Sequence, residues 1–169
     1  MPAAVEVRAV TPDDWQLFSR LRLAALRDTP LAFGSTYERE AGRTEAQWRE
    51  RLASVDGARF VASIGDQPVG IAAVYLRGEH RDVAGPVPEL VSMWVHPAHR
   101  TRGVGRVLVD AVTAWVDGRG YDELRLMVSA DNPVAERFYE RIGFNRNGYT
   151  QPFPHDESRS EHEMSRPVG

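Results

Sequence analysis

The stretch Glu89–Arg106 (ELVSMWVHPAHRTRGVGR) constrains this chain more than any other. Its first part, Glu89–Val95, alternates and is rich in apolar residues, as a strand with at least one buried face requires. At His96–Pro97–Ala98–His99 the proline has no donor and biases His96 away from helix, so the strand ends in a turn. From Val104 onward, apolar residues recur at Leu108, Ala111/Val112 and Trp115, which is helical spacing. Arg100, Thr101, Arg102, Gly103, Gly105 and Arg106 crowd the junction. The first amides of a helix have no intrahelical partner, and here glycines would let a ligand come close to them. Strand, turn and helix start thus make an anion site, where charge–dipole terms of roughly 0.3–1 kcal/mol each would hold a diphosphate with help from arginine forks.

Two common phosphate motifs fail. A P-loop needs G-x-x-x-x-G-K-[ST], and the chain contains no lysine. A dinucleotide fingerprint needs a third glycine and a later acid, but Leu108 and Arg125 stand at those places. What remains is R-x-x-G-x-G, as Arg100-Thr101-Arg102-Gly103-Val104-Gly105, which resembles the acyl-CoA-binding motif of the GNAT family of N-acetyltransferases. About thirty residues later, Asn132–Phe144 (NPVAERFYERIGF) is similar to that family's N-x-x-A-x-x-x-Y-x-x-x-G-F signature. The resemblance covers Glu89–Phe144 closely and the order of elements outside it more loosely.

Bulk properties bound the alternatives. At 169 residues, 42% hydrophobic and 27% charged, the chain is expected to fold as one globular domain, 1–169. No apolar run approaches membrane-spanning length, and the start lacks the basic-then-apolar pattern of a signal peptide, so a cytoplasmic protein is expected. Absence of cysteine excludes disulfides, thiolate metal sites and a cysteine acyl-enzyme. The histidines have no metal-ligand spacing, and no metal is expected. A net charge of −3 gives no general attraction to nucleic acid or anionic lipid. All 21 basic residues are arginine, which codon bias explains, as would protection of an acetyl-transferring protein from modifying itself.

Along the chain, Val5–Val10 reads as a strand. Thr11-Pro12-Asp13-Asp14 opens a helix carrying Trp15, Phe18, Leu21 and Ala25 on one side. Residues 28–43 read as an irregular or short helical crossover. Thr44–Gln47 is a capping box opening a helix to about Ala53. Ala58–Ile64 and Pro68–Leu76 form a hairpin, and Gly78–Val87 is loop-like. After Glu89–Val95 and its helix (to about Gly118) come a strand at Leu124–Val128, a helix at Pro133–Ile142 and a strand at Phe144–Tyr149. Gln151–Glu157 reads as a loop and Ser160–Arg166 as a last strand. The order β-α-α-β-β-β-α-β-α-β-β is that of a mixed α/β sheet with parallel pairing around the central crossover helix.

The resemblance implies more: two parallel central strands, Glu89–Val95 and Leu124–Val128, splay apart to admit the pantetheine arm of acetyl-CoA. Backbone groups of Met93, Trp94 and Val95 would pair with the arm, and Arg100–Arg106, including Val104, would take the diphosphate. Ala135 and Asn132 would lie alongside, although Asn before proline is equally an ordinary N-cap. Tyr139 would protonate the departing sulfur, the alternative being a core tyrosine. Glu89, placed by alternation on the side of Val91 and Met93, is a candidate proton acceptor or else a solvent-facing acid. The backbone N–H near Val95 would donate to the oxyanion. Phe33, Tyr37, Phe153, His155 and Asp156 would border the acceptor, and the acids Asp156, Glu157, Glu161 and Glu163 would suit a cation. The implied activity is acetyl-CoA-dependent N-acetylation by direct attack of a primary amine: a small amine, amino acid derivative or aminated antibiotic. Acetylation of a protein lysine or N-terminus, and a CoA-binding sensor without turnover, are the alternatives; a homodimer is left open.

Overall fold

The computed structural model describes residues 3–78 and 82–169. Residues 79–81, part of the expected 78–87 loop and including His80, lie outside the described residues. The elements are β1 (Val5–Ala9), α1 (Trp15–Asp28), α2 (Tyr37–Ala41), α3 (Glu45–Ala53), β2 (Gly57–Ile64), β3 (Gln67–Arg77), β4 (Val87–Val95), α4 (Val104–Gly118), β5 (Glu123–Ser129), α5 (Pro133–Arg141), β6 (Asn145–Phe153) and β7 (Asp156–Pro167). They build one seven-stranded sheet in the order β1-β2-β3-β4-β5-β7-β6, in which β4–β5 is the parallel pair. No helix among the described residues is long and apolar enough to cross a membrane.

Local sequence accounts for most boundaries. Thr44 Oγ1 accepts from Gln47 N at 3.2 Å while Gln47 Oε1 accepts from Thr44 N at 2.8 Å, the reciprocal cap that starts α3. Thr11 and Asp14 cap a 3-10 turn over Pro12–Asp14, so the α-helix itself begins at Trp15, a turn later than the proline suggests. The crossover contributes a short helix, α2, making three helices before β2 where the sequence indicated two. On one face of the sheet, Val104, Leu108, Val112 and Val116 of α4 form a stripe against Leu90, Leu124 and Leu126. On the other, Phe18, Leu21, Ala25, Trp48 and Leu52 cover Val61, Ile71 and Trp94. Each such burial contributes roughly 1.5–3 kcal/mol.

Two expectations are corrected. The loop expected over Gln151–Glu157 is instead a tight hairpin: Phe153 pairs with Asp156 across Pro154–His155, with His155 at φ 66°. Pro152 is tolerated because β6 is the sheet's edge strand. The strict alternation assumed for β4 also fails. Ile71 faces Trp94 and Ala73 faces Val91, so Ser92 and Met93 together oppose one residue of β3, and Ser92 has φ 55°. This bulge inverts the faces: Leu90 packs with α4, whereas Trp94 packs with α1. Glu89 and Met93 therefore point to opposite faces.

The bulge is tied to the helices by a buried ionic cluster. Glu40 of α2 is 0% exposed and accepts from Arg22 Nε and Nη2 at 3.0 and 2.9 Å and from Arg51 Nη1 at 2.9 Å. Arg22 Nη1 also donates to Ser92 Oγ at 3.3 Å. Burial pushes the Glu40 carboxyl up, but the hydrogen bond and charge of Arg22, with the charge of Arg51, outweigh it and hold it at about 2. Removing one partner from a buried ion pair strands the others, so Glu40→Ala should cost about 3–5 kcal/mol in urea denaturation at pH 7. Because the folded pKa lies below its unfolded value, the contribution of Glu40 is complete above about 4.5 and lost as pH falls towards about 2. The stability of Glu40→Gln should consequently fall less steeply than that of the parent across this window; parallel curves would dismiss the assignment.

Candidate active site

At the end of β4 the chain turns through a 3-10 segment, Pro97–His99, fixed by Ala98 N donating to His96 Nδ1 at 3.1 Å. Arg100 Nε donates to Val95 O at 3.0 Å, and its guanidinium pairs with Asp28 at the end of α1. Trp94 Nε1 donates to the same carboxylate at 3.0 Å. Burial raises the Asp28 carboxyl, but the hydrogen bonds from Trp94 and Arg100 outweigh it and lower it. Thr101 and Gly103 both adopt left-handed φ (64° and 80°), and Gly103 is the N-cap of α4. A left-handed cap followed by the unpaired amides of a 15-residue helix is a concave array of N–H groups suited to an anion.

This array opens into a cavity of about 780 Å³ between α4, α5 and the end of β4. Met93, Trp94, Val95, Arg100, Thr101, Gly103, Val104, Gly105 and Arg106 line it from one side, and Asn132, Ala135 and Tyr139 from the other. Of the residues expected to bind the acyl donor, Arg102 alone does not line it. The Arg100 side chain is engaged by Asp28, which leaves Arg106, together with Arg141, as cationic lining with no ion pair among the described residues. Arg141 was not anticipated. Asn132 is an N-cap, its Oδ1 accepting from Ala135 N at 3.1 Å. The glycines have reasons within the protein. A Cβ on Gly103 would meet nothing within 4 Å, so its need is the positive φ; one on Gly105 would stand 3.0 Å from Phe138 Cζ and 3.1 Å from Met93 Cε.

The β4–β5 ladder pairs Glu89 with Arg125 and Leu90 with Leu126 and ends there, and a second cavity, about 690 Å³, lies on the other side of the gap that opens beyond it. Met93 and Tyr139 line both cavities. The Tyr139 ring packs edge-on to Phe144 at 5.7 Å, and burial pushes its phenol up, so it stays protonated. Glu89 lines the second cavity and is paired with Arg77 at 3.0 Å. Across from it stands Glu161, 7% exposed, held by Gln151 Nε2 at 2.6 Å. Burial raises the Glu161 carboxyl, the charge of Glu89 adds to this, and the Gln151 hydrogen bond and Arg77 only partly offset it. A carboxylate with raised proton affinity in a cleft is suited to accept a proton. In the sequence Glu161 stood out only as one of several acids; its i, i+2 alternation with Glu163 on β7 was the available signal.

Among the expected acceptor-side residues, Phe33 lines this cavity beneath Arg22, whose guanidinium lies 4.8 Å from its ring. Tyr37 is elsewhere, under Arg27 at 4.2 Å. Phe153 is buried beneath Arg159, and neither it nor His155 nor Asp156 lines either cavity; Pro154 of the same hairpin does.

The family described as "Acetyltransferase (GNAT) family" matches residues 20–144. The chain belongs to the GNAT acetyltransferase family. It is 30% identical over 145 residues to an aminoglycoside N(6')-acetyltransferase type 1 of Stenotrophomonas maltophilia, covering 84% of this chain and 87% of that protein. To an uncharacterized N-acetyltransferase of Methanocaldococcus jannaschii it is 27% identical over 138 residues, 82% of this chain and 59% of the relative's length. A GCN5-related N-acetyltransferase from Kribbella flavida has the same fold, with TM-score 0.74, 25% identity and 98% of each chain covered. The parted strands and helix-start array are thus set in a GNAT fold.

The glycine geometry yields a test. Gly103→Ala should lose roughly 1–2 kcal/mol of stability from the left-handed backbone rather than from a clash. Gly103→Asn should recover part of it, since asparagine tolerates this region. Equal denaturation midpoints for parent and Gly103→Ala would show that the turn can relax.

Proposed function

We propose that this GNAT chain is an acetyl-CoA-dependent N-acetyltransferase acting on a small-molecule primary amine. The supporting observation is that two cavities, one beside the helix-start array and one bordered by carboxylates, meet at Tyr139 and Met93. The amides of Val104–Arg106 and the Arg106 and Arg141 guanidiniums would hold the diphosphate of the donor, and the edge of β4 past the bulge would align its arm as an added strand. Aligning the thioester with the amine removes most of the entropic barrier to their meeting.

In the reaction the amine nitrogen forms a bond to the acetyl carbon, and the carbon–sulfur bond breaks. The proton shed by nitrogen passes to a carboxylate, Glu161 or Glu89, directly or through water. Tyr139, kept protonated by burial, supplies a proton to the departing thiolate. A backbone N–H near Val95 donates to the oxyanion. The named activity of the Stenotrophomonas relative, over most of both chains, supports a small amine as acceptor.

The direct test is release of free CoA thiol from acetyl-CoA across a panel of primary amines; none released with any amine would rule out transfer. Tyr139→Phe should lower kcat by about 10²–10⁴ while CoA binding is kept. Unchanged turnover would make Tyr139 a packing residue against Phe144. Because the Glu161 carboxyl is raised, the acidic limb of kcat/KM should lie above the ordinary carboxylate range, and Glu161→Gln should remove it. A limb unchanged in that variant would show that Glu161 is not the proton acceptor.

A further inference from the structure

The second cavity is electrically two-sided. Its β7–β6 wall carries Glu161 and Glu163, while Arg22, Arg51 and Tyr75 line the opposite wall above β3. Three arginines gather on that side: Arg22 is 5% and Arg59 2% exposed, and the Arg51 side chain is 18% exposed. Among the described residues, Glu40 is the carboxylate that pairs with Arg22 and Arg51. Arg59 has no ion pair among the described residues. It lies over the Tyr75 ring at 4.5 Å, donates to Ser54 O at 3.3 Å, and its buried Nε makes no hydrogen bond. Arg51 Nε reaches the Tyr75 hydroxyl at 3.4 Å.

Buried charge in such excess is costly unless something neutralises it. Its field is visible on neighbours. Burial pushes the Tyr75 phenol up, yet the charges of Arg51 and Arg59 outweigh it and bring it below its ordinary value. Arg43 is lowered by burial and by the charges of Arg51, Arg22 and Arg39, with Glu40 only partly offsetting them. Of Arg22, Arg51 and Arg59, Arg51 is the least buried, and with Arg22 it lines the cavity itself, so a ligand anion can reach it.

We infer that the Arg22–Arg51–Tyr75 wall is an anion subsite, and that the acceptor is an amine carrying a carboxylate, bound with the carboxylate on Arg51 and Arg22 and the amine towards Glu161. The planar guanidinium fork matches a carboxylate, and the acidic wall receives the ammonium end. A polycationic amine would leave the arginine wall unneutralised. The inference rests on the transferase reading for its amine end, whereas the anion subsite can be read without turnover.

The test uses the full chain with free α-amino acids of differing side chain, each beside its carboxamide, and a polycationic aminosugar. Binding is followed by calorimetry and transfer by thiol release from acetyl-CoA. The acids should bind, and be acetylated, at least about tenfold better than their carboxamides, as expected for loss of a charge-assisted hydrogen bond. Arg51→Gln, checked for folding by circular dichroism, should bring that ratio near unity. Glu40→Gln removes a competing carboxylate and should widen it, which keeps the test decisive if Arg51→Gln does not fold. Equal behaviour of acid and amide in the parent, no measurable carboxylate binding, or preference for the aminosugar would overturn the inference. Carboxylate binding without thiol release from any amine would sink the transferase reading and leave the subsite standing. Turnover without acid preference would do the reverse.

Discussion

β4 and β5 share ladder pairs at Glu89–Arg125 and Leu90–Leu126, although both strands continue for several residues beyond. Each backbone hydrogen bond left unmade away from water costs about 1–3 kcal/mol, so two parallel neighbours would ordinarily zip along their whole length. The bulge at Ser92 prevents it. By placing two residues against one of β3, it bends β4 and turns its later side chains to the other face. Trp94 is thereby delivered to the α1 side, where its indole meets Asp28, and Met93 to the α4 side against Gly105. The open backbone edge that results faces a cavity lined by Met93, Trp94 and Val95.

The bulge in turn depends on charge. Ser92 holds φ 55° while its hydroxyl accepts from Arg22, and Arg22 is fixed by Glu40 on α2 and through it by Arg51 on α3. One buried carboxylate therefore connects three helices to the strand whose irregularity opens the cleft. Lysine in place of Arg22 would lose the bidentate fork that holds both Glu40 oxygens while a third nitrogen reaches Ser92. The same cluster leaves surplus positive charge beside the second cavity, so the device that parts the strands also polarises the space they open.

Local signals were legible in the sequence and distant ones were not. The Thr44–Gln47 capping box, the α4 stripe and the Asn132 cap each depend on residues within a turn or two, and each lies where spacing put it. The strand–turn–helix junction at Glu89–Arg106 was readable for the same reason. The bulge was not, because Arg22 and Ser92 are 70 residues apart and alternation alone gives no reason for β4 to break step. A serine at a buried position amid VSMWV was its one local trace. The β6–β7 hairpin was hidden by its prolines, which suggest a loop but sit on an edge strand. The family resemblance placed Phe33 and Tyr37 alike beside the acceptor because both lie between the first two helices, yet Phe33 lines the second cavity and Tyr37 lies under Arg27. Glu161 was concealed among several acids because burial, which distinguishes it, is set by its sheet neighbours.

The placement of Tyr139 shows how a short helix can carry an exacting group. With only nine residues, α5 would be marginal alone, since helix nucleation is costly. It is fixed at both ends and along its sides. Asn132 satisfies the Ala135 amide at the start, and Phe144 N donates to Tyr139 O at 3.0 Å at the finish. Glu136 pairs with Arg146 of β6, and that hydrogen bond holds its carboxyl below the usual range. Phe138 rests where a side chain on Gly105 would intrude, so the absence of a Cβ there sets how near α5 can come to α4. Gly105 thus leaves room for the ends of Phe138 and Met93, which a Cβ would crowd, at some cost to the first turn of α4.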